Sequence, residues 1–132
     1  MSTNRRHPHF DDRDTLSWHT RWSEAFAQAK REKKMLFITL GRELCGQCRS
    51  LVQNVVPRPD VAPLLQQNFV ALAADADNSE DEVIALAQNL EDAYMLPFVI
   101  FADSNGNFVD GSSGAVNPIL FAAKLKVIAS GK

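Results

Sequence analysis

Three short apolar runs, Met35–Leu40, Phe69–Ala74 and Pro97–Ala102, divide this 132-residue chain. Each is nearly continuous in apolar residues, the pattern of a strand buried on both faces. A sheet of such strands needs helices above and below it. Trp22, Ala25, Phe26 and Ala29 recur at helical spacing ahead of the first run. A second helix is predicted from the Cys45-Gly46-Gln47-Cys48 stretch to Pro57, which cannot continue a helix interior. Asp60 is positioned to cap a third helix carrying Val61, Leu64 and Leu65, with Pro63 in its first turn. Asn78 to Glu82 read as the cap and first-turn acids of a fourth, with Val83, Ile84, Leu86, Ala87 and Leu90.

After the third run, Ser104-Asn-Gly-Asn107 leads into Phe108-Val109. Asn-Gly between apolar runs is the strongest short-range hairpin signal. Asn117-Pro118 opens a last helix with Ile119, Phe121, Leu125 and Ile128 on its inner side. Strand, helix, strand over 35–74 implies a right-handed βαβ unit with parallel strands. The hairpin adds an antiparallel pair. The expected class is α/β, a four-stranded mixed sheet with helices on both faces.

The chain is sized for one domain with its own core. Net charge is −2 and the pI about 5.9, so no basic field is available for nucleic acid or anionic lipid, and neither is expected as a partner. The cluster Lys30-Arg31-Glu32-Lys33-Lys34 reads as the last turn of a helix, where cations complement the dipole. No stretch approaches the ~18 apolar residues of a membrane span. The first ten residues carry positive charge without a hydrophobic segment behind it, so no intact secretory signal is read there. As the chain stands a cytoplasmic monomer is expected; a removed leader would instead place it in the periplasm or another secretory compartment. Residues 1–17 are polar and aperiodic and read as a flexible arm. His7-Pro8-His9 within it lacks a nearby third ligand, so a solvated tail is preferred to a metal site.

Cys45 and Cys48 are the only cysteines. They lie just past a central strand and at the start of a helix. Free N–H groups and the positive dipole end favour a thiolate there. One helical turn apart, Cys48 can bring its sulfur onto Cys45, and Gly46 lets a partner chain approach. A dithiol beside a βαβ unit reads as a redox centre. A structural zinc site lacks its second pair of ligands, because all three histidines lie in the first 19 residues. Two inert thiols remain the plain alternative. Pro97 begins a buried strand, where proline forfeits a ladder hydrogen bond. A cis Leu96–Pro97 bond fits that position, and an ordinary trans proline is the other reading.

The stretches "EAFAQAKREKKMLFITL", "CGQC", "DVAPLLQQNFVALAADAD" and "LPFVIFADSNGNFV" resemble the thioredoxin superfamily over roughly Trp18 to Ile128. Small single-domain disulfide-handling proteins are the most similar type, among them bacterial thioredoxin-like proteins and the anterior-gradient and endoplasmic kind. The resemblance implies a thioredoxin fold over 18–132 with a mixed four- to five-stranded sheet. It implies Cys45 as nucleophile, Cys48 as resolving thiol and Pro97 as a cis-proline beside them. Leu44, Gly46, Gln47 and Leu96 would meet an extended protein segment.

The departures are Leu44 where thioredoxin has tryptophan, Gln47 where it has proline, Thr39 where it has a buried acid, and Ala71 as the best match to its partner lysine. Cys48 is therefore expected to exchange protons through Thr39, water or solvent, with slower turnover. No metal or cofactor is expected, and electrons would come from a separate protein or a small thiol. The expected function is thiol–disulfide exchange with protein disulfides. A non-catalytic binding module on the same scaffold is the alternative.

Overall fold

A computed structural model describes residues 5–91 and 93–131 of the chain. The apolar runs form β2 (Met35–Gly41), β3 (Phe69–Asp75) and β4 (Phe98–Ala102), flanked by β1 (Trp18–His19) and β5 (Phe108–Ser113). The sheet order is β1-β3-β2-β4-β5. β1 and β2 run parallel to β3, whereas β2–β4 and β4–β5 are antiparallel. The fifth strand, β1, brings the sheet to the upper end of the four to five strands that the resemblance implies. It is two residues long, too short for a periodic signal, and exists because Trp18 pairs with Ala71 across the sheet.

Alternation along the strands sorts the core into two layers. Phe37, Ala71, Val99 and Phe101 face one side with Trp18, Leu51, Val56, Leu65, Phe121 and Leu125. Leu36, Ile38, Leu40, Val70, Leu72 and Ile100 face the other, under Ala25 and Ala29 of α1 (Trp22–Glu32) and Val83 and Leu86 of α4 (Asp81–Ala87). Phe37 stacks on Phe101 with ring centroids 5.8 Å apart, and truncating either ring to Ala would cost about 3–5 kcal/mol.

Several helix boundaries differ from expectation. α2 (Gly46–Ser50) does begin at the dithiol but widens into a π turn, Leu51–Val55, before Pro57. α3 (Ala62–Asn68) begins without a side-chain cap, because the Asp60 carboxylate is bound by Arg58 at 2.9 and 3.1 Å. α4 starts after Glu80 and ends at Ala87, so Leu90 packs on the core from beyond the helix. Ile84 is exposed rather than inward. α5 (Pro118–Ser130) is capped as expected, Asn117 Oδ1 accepting from the N–H groups of Ile119 and Leu120. Ile119, however, faces solvent, since the inner positions are Phe121, Leu125 and Ile128.

The N-terminal stretch, read as a flexible arm, is anchored to the domain at several residues between 5 and 17; residues 1–4 lie outside the described residues. Phe10 and Leu16 are buried in the same layer as Cys48. The Trp18 N–H donates to the Arg5 carbonyl at 2.7 Å. The Trp18 indole donates to the buried Asp12 carboxylate at 2.9 Å. What looked polar and aperiodic is held by a few specific anchors, which leave no periodic trace.

Candidate active site

β2 ends at Gly41, and three residues of loop carry the chain to Cys45, the N-cap of α2. Cys45 is extended (φ −145°, ψ 108°), and its Sγ accepts the Cys48 N–H at 3.1 Å. Its carbonyl accepts from Arg49. A sulfur that accepts a helix N-terminal N–H is better placed as an anion than as a thiol. The two cysteines are joined as a disulfide with Cα atoms 5.2 Å apart. They are not equivalent: Cys45 is half-buried at the surface, while Cys48 is 3% exposed and belongs to the core.

The Leu96–Pro97 peptide bond is cis. Pro97 is buried, and its carbonyl accepts from Gly114 N–H at 3.0 Å, which ties the start of β4 to the end of β5. Leu44, Cys45, Gly46, Gln47 and Leu96 line one open groove. Cys48 and Pro97 instead line a cavity behind it.

Two groove residues escaped the sequence reading. Tyr94 and Met95 stand 85% and 56% exposed and line the same groove as Leu44, itself 91% exposed. Two large side chains immediately before Leu96-Pro97, in a stretch without periodicity, were the available signal. Among the described residues, the Gln47 Oε1 is buried without a hydrogen-bond partner. Arg42 borders the groove with its guanidinium 3.1 Å from Asp77.

The rear cavity holds about 240 Å³ and is walled by Thr39, Gly41, Cys48, Ala73, Asp75 and Pro97. Thr39 is buried, and its cross-strand neighbour on β3 is Ala73, not Ala71, which pairs with Phe37. His7, Pro8, His9 and Phe10 line the same cavity from the N-terminal segment. His7 is no solvated tail residue. Its Nδ1 accepts from the His9 and Phe10 N–H groups at 3.1 and 3.3 Å, and its ring stacks on Phe10 and meets Trp18 edge-on. Burial, with a smaller contribution from His9, lowers its pKa from 6.5 to about 4. Among the described residues no cluster of three or more His, Cys, Asp or Glu side chains is arranged to hold a metal ion.

A family model described as thioredoxin-like matches residues 17–104. Spermatogenesis-associated protein 20 of Rattus norvegicus is 29% identical over 66 residues, half of this chain but only 8% of that protein's length. A solved thioredoxin from Thermus thermophilus superposes with a TM-score of 0.68 at 22% identity, covering 89% of this chain and 94% of that one. A disulphide isomerase from Xylella fastidiosa Temecula1 gives a TM-score of 0.62 at 20% identity over 80% of this chain and 86% of that one. The fold is that of thioredoxin, with five strands in the mixed sheet.

Proposed function

The chain belongs to the thioredoxin-like family, and on that premise we propose that it is a thiol–disulfide oxidoreductase acting on protein disulfides. The observation that carries this reading is the asymmetry of one Cys-x-x-Cys pair: Cys45 at the helix cap and open to the groove, Cys48 buried behind it within disulfide reach.

In the reducing direction the Cys45 thiolate attacks one sulfur of a substrate disulfide. A Cys45–substrate bond forms, the substrate bond breaks, and the released substrate sulfur takes up a proton. Cys48 then loses its proton and attacks Cys45, forming the intramolecular disulfide and releasing the second substrate thiol. A separate protein dithiol or small thiol returns the two electrons. The oxidising direction is the same sequence reversed. Leu96 and the groove side chains Leu44 and Gln47 hold an extended substrate segment beside Cys45, the bare Gly46 lets it approach, and Pro97 packs behind. The protein works as a monomer in this scheme.

Replacing Cys48 by Ser tests the reading. An exchanger accumulates mixed disulfides through Cys45 in that variant, detectable by mass. A binding module keeps its partner affinity and forms no adduct. Titrating the native protein in glutathione buffers then assigns direction. A midpoint below about −250 mV marks a reductase and one above about −200 mV an oxidase or isomerase.

A further inference from the structure

A thiol as buried as Cys48 cannot shed its proton directly into bulk water, yet it must ionise as it attacks Cys45. The groups able to take that proton are those on the cavity behind it. Asp75 is the last residue of β3 and pairs in parallel register with Gly41. Paired residues of parallel strands point to the same face, and a Cβ built on Gly41 would stand 2.8 Å from the Cys48 sulfur. The Asp75 carboxylate is thus one strand over from the spot where Cys48 rests, on the same face, lining the same cavity.

Resting on the exchange reading above, we propose that Asp75 positions water in this cavity to take the Cys48 proton as the mixed disulfide is resolved. The Cys48 S–H bond breaks toward water hydrogen-bonded to Asp75, and the sulfur forms its bond to Cys45. The Cys45–substrate bond breaks with its electron pair on the substrate sulfur, which the proton finally neutralises. A volume of about 240 Å³ has room for a short water chain.

The other titratable and charged groups near Asp75 are less free to serve. Glu80, before α4, accepts the Trp22 N–H at 2.7 Å and anchors the start of α1. Arg42, after β2, is held by Asp77. His7 already accepts two backbone N–H groups through Nδ1 and is neutral above about pH 4. His9 also lines the cavity and serves as a control. The Asp75 carboxylate accepts only the Asp77 N–H, at 2.9 Å through Oδ1, among the described residues, so Oδ2 remains for water.

The test uses the reduced 132-residue chain mixed with oxidised glutathione, acid-quenched over time, with the Cys45–glutathione adduct followed by mass. Its formation reports Cys45 attack and its decay reports resolution by Cys48. In Asp75→Asn, adduct decay is expected to slow about 10- to 100-fold near pH 6–7. The deficit should close at high pH, where hydroxide ionises Cys48 unaided. Asp75→Glu should recover most of the rate, and His9→Gln should keep the native profile. Asp75→Ser reads the same step should the Asn variant not fold. Native decay rates in Asp75→Asn, a uniform drop at every pH, or transfer of the effect to His9→Gln would overturn the proposal. Absence of any Cys45 adduct in Cys48→Ser would instead overturn the exchange reading itself.

Discussion

Gly41 and Cys48 meet so closely that a methyl group on Gly41 would lie 2.8 Å from the Cys48 Sγ and 3.3 Å from its Cβ. The end of β2 is bare so that α2 can seat its buried sulfur against the sheet. Gly41→Ala should therefore push α2 outward and lower stability by about 1–3 kcal/mol. Gly46, with nothing within 4 Å of its hypothetical Cβ, should accept Ala with a change below about 1 kcal/mol. Urea unfolding of the two variants side by side checks the contrast. Equal losses would contradict it.

The groove prediction separates substrate holding from sulfur chemistry. Leu44, Tyr94 and Met95 are exposed and hold no core together. Leu44→Ser and Met95→Ser should change stability by less than about 0.5 kcal/mol. Each should lower kcat/KM for a protein disulfide about 5- to 10-fold, the loss of one apolar contact. Reaction with oxidised glutathione, too small to span the groove, should be unchanged.

Asp12 is the anchor of the N-terminal segment. It is 3% exposed, and its carboxylate accepts from the Trp18 indole at 2.9 Å and from the Leu16 and Thr15 N–H groups at 3.0 and 3.2 Å. Asp12→Ala leaves the Trp18 indole and the Leu16 N–H without an acceptor, while the Thr15 N–H keeps the Asp12 carbonyl at 3.2 Å, and should cost about 2–3 kcal/mol. The readout is the urea midpoint, and amide exchange at Leu16 should accelerate with it.

His7 makes stability depend on acid. Its folded pKa is lowered to about 4, chiefly by burial, against 6.5 when unfolded. Between those values the unfolded chain binds a proton that the folded chain refuses, so stability falls as pH drops from 6.5 toward 4. Below about 4 both states are protonated and this loss levels off. Urea midpoints from pH 7 to 4 should show the slope, and His7→Gln should reduce it.

Much of the fold was legible because its signals are local. Continuous apolar runs at 35–40, 69–74 and 97–102 mark strands covered on both faces wherever they occur. Asn117-Pro118 caps and Asn105-Gly106 turns for reasons carried by those residues alone, Gly106 adopting φ +86°. Asp60 misled for the opposite reason. Its capping potential was real, but Arg58, two residues away, claimed the carboxylate.

The candidate site divides along the same line. The Cys45–Cys48 spacing places two sulfurs within one helical turn, and that was decided by the sequence alone, since it needs only helix geometry. Which sulfur is buried, which side chains wall the groove, and which carboxylate shares the rear cavity were decided by tertiary structure. Asp75 shares a cavity with Cys48 through the register of β3 on β2, and Phe10 joins that layer from a segment whose Asp12 is bonded to Trp18. Such pairings join residues far apart in the chain, and their energy comes from desolvation and close packing once the strands align. No local pattern of residues encodes them.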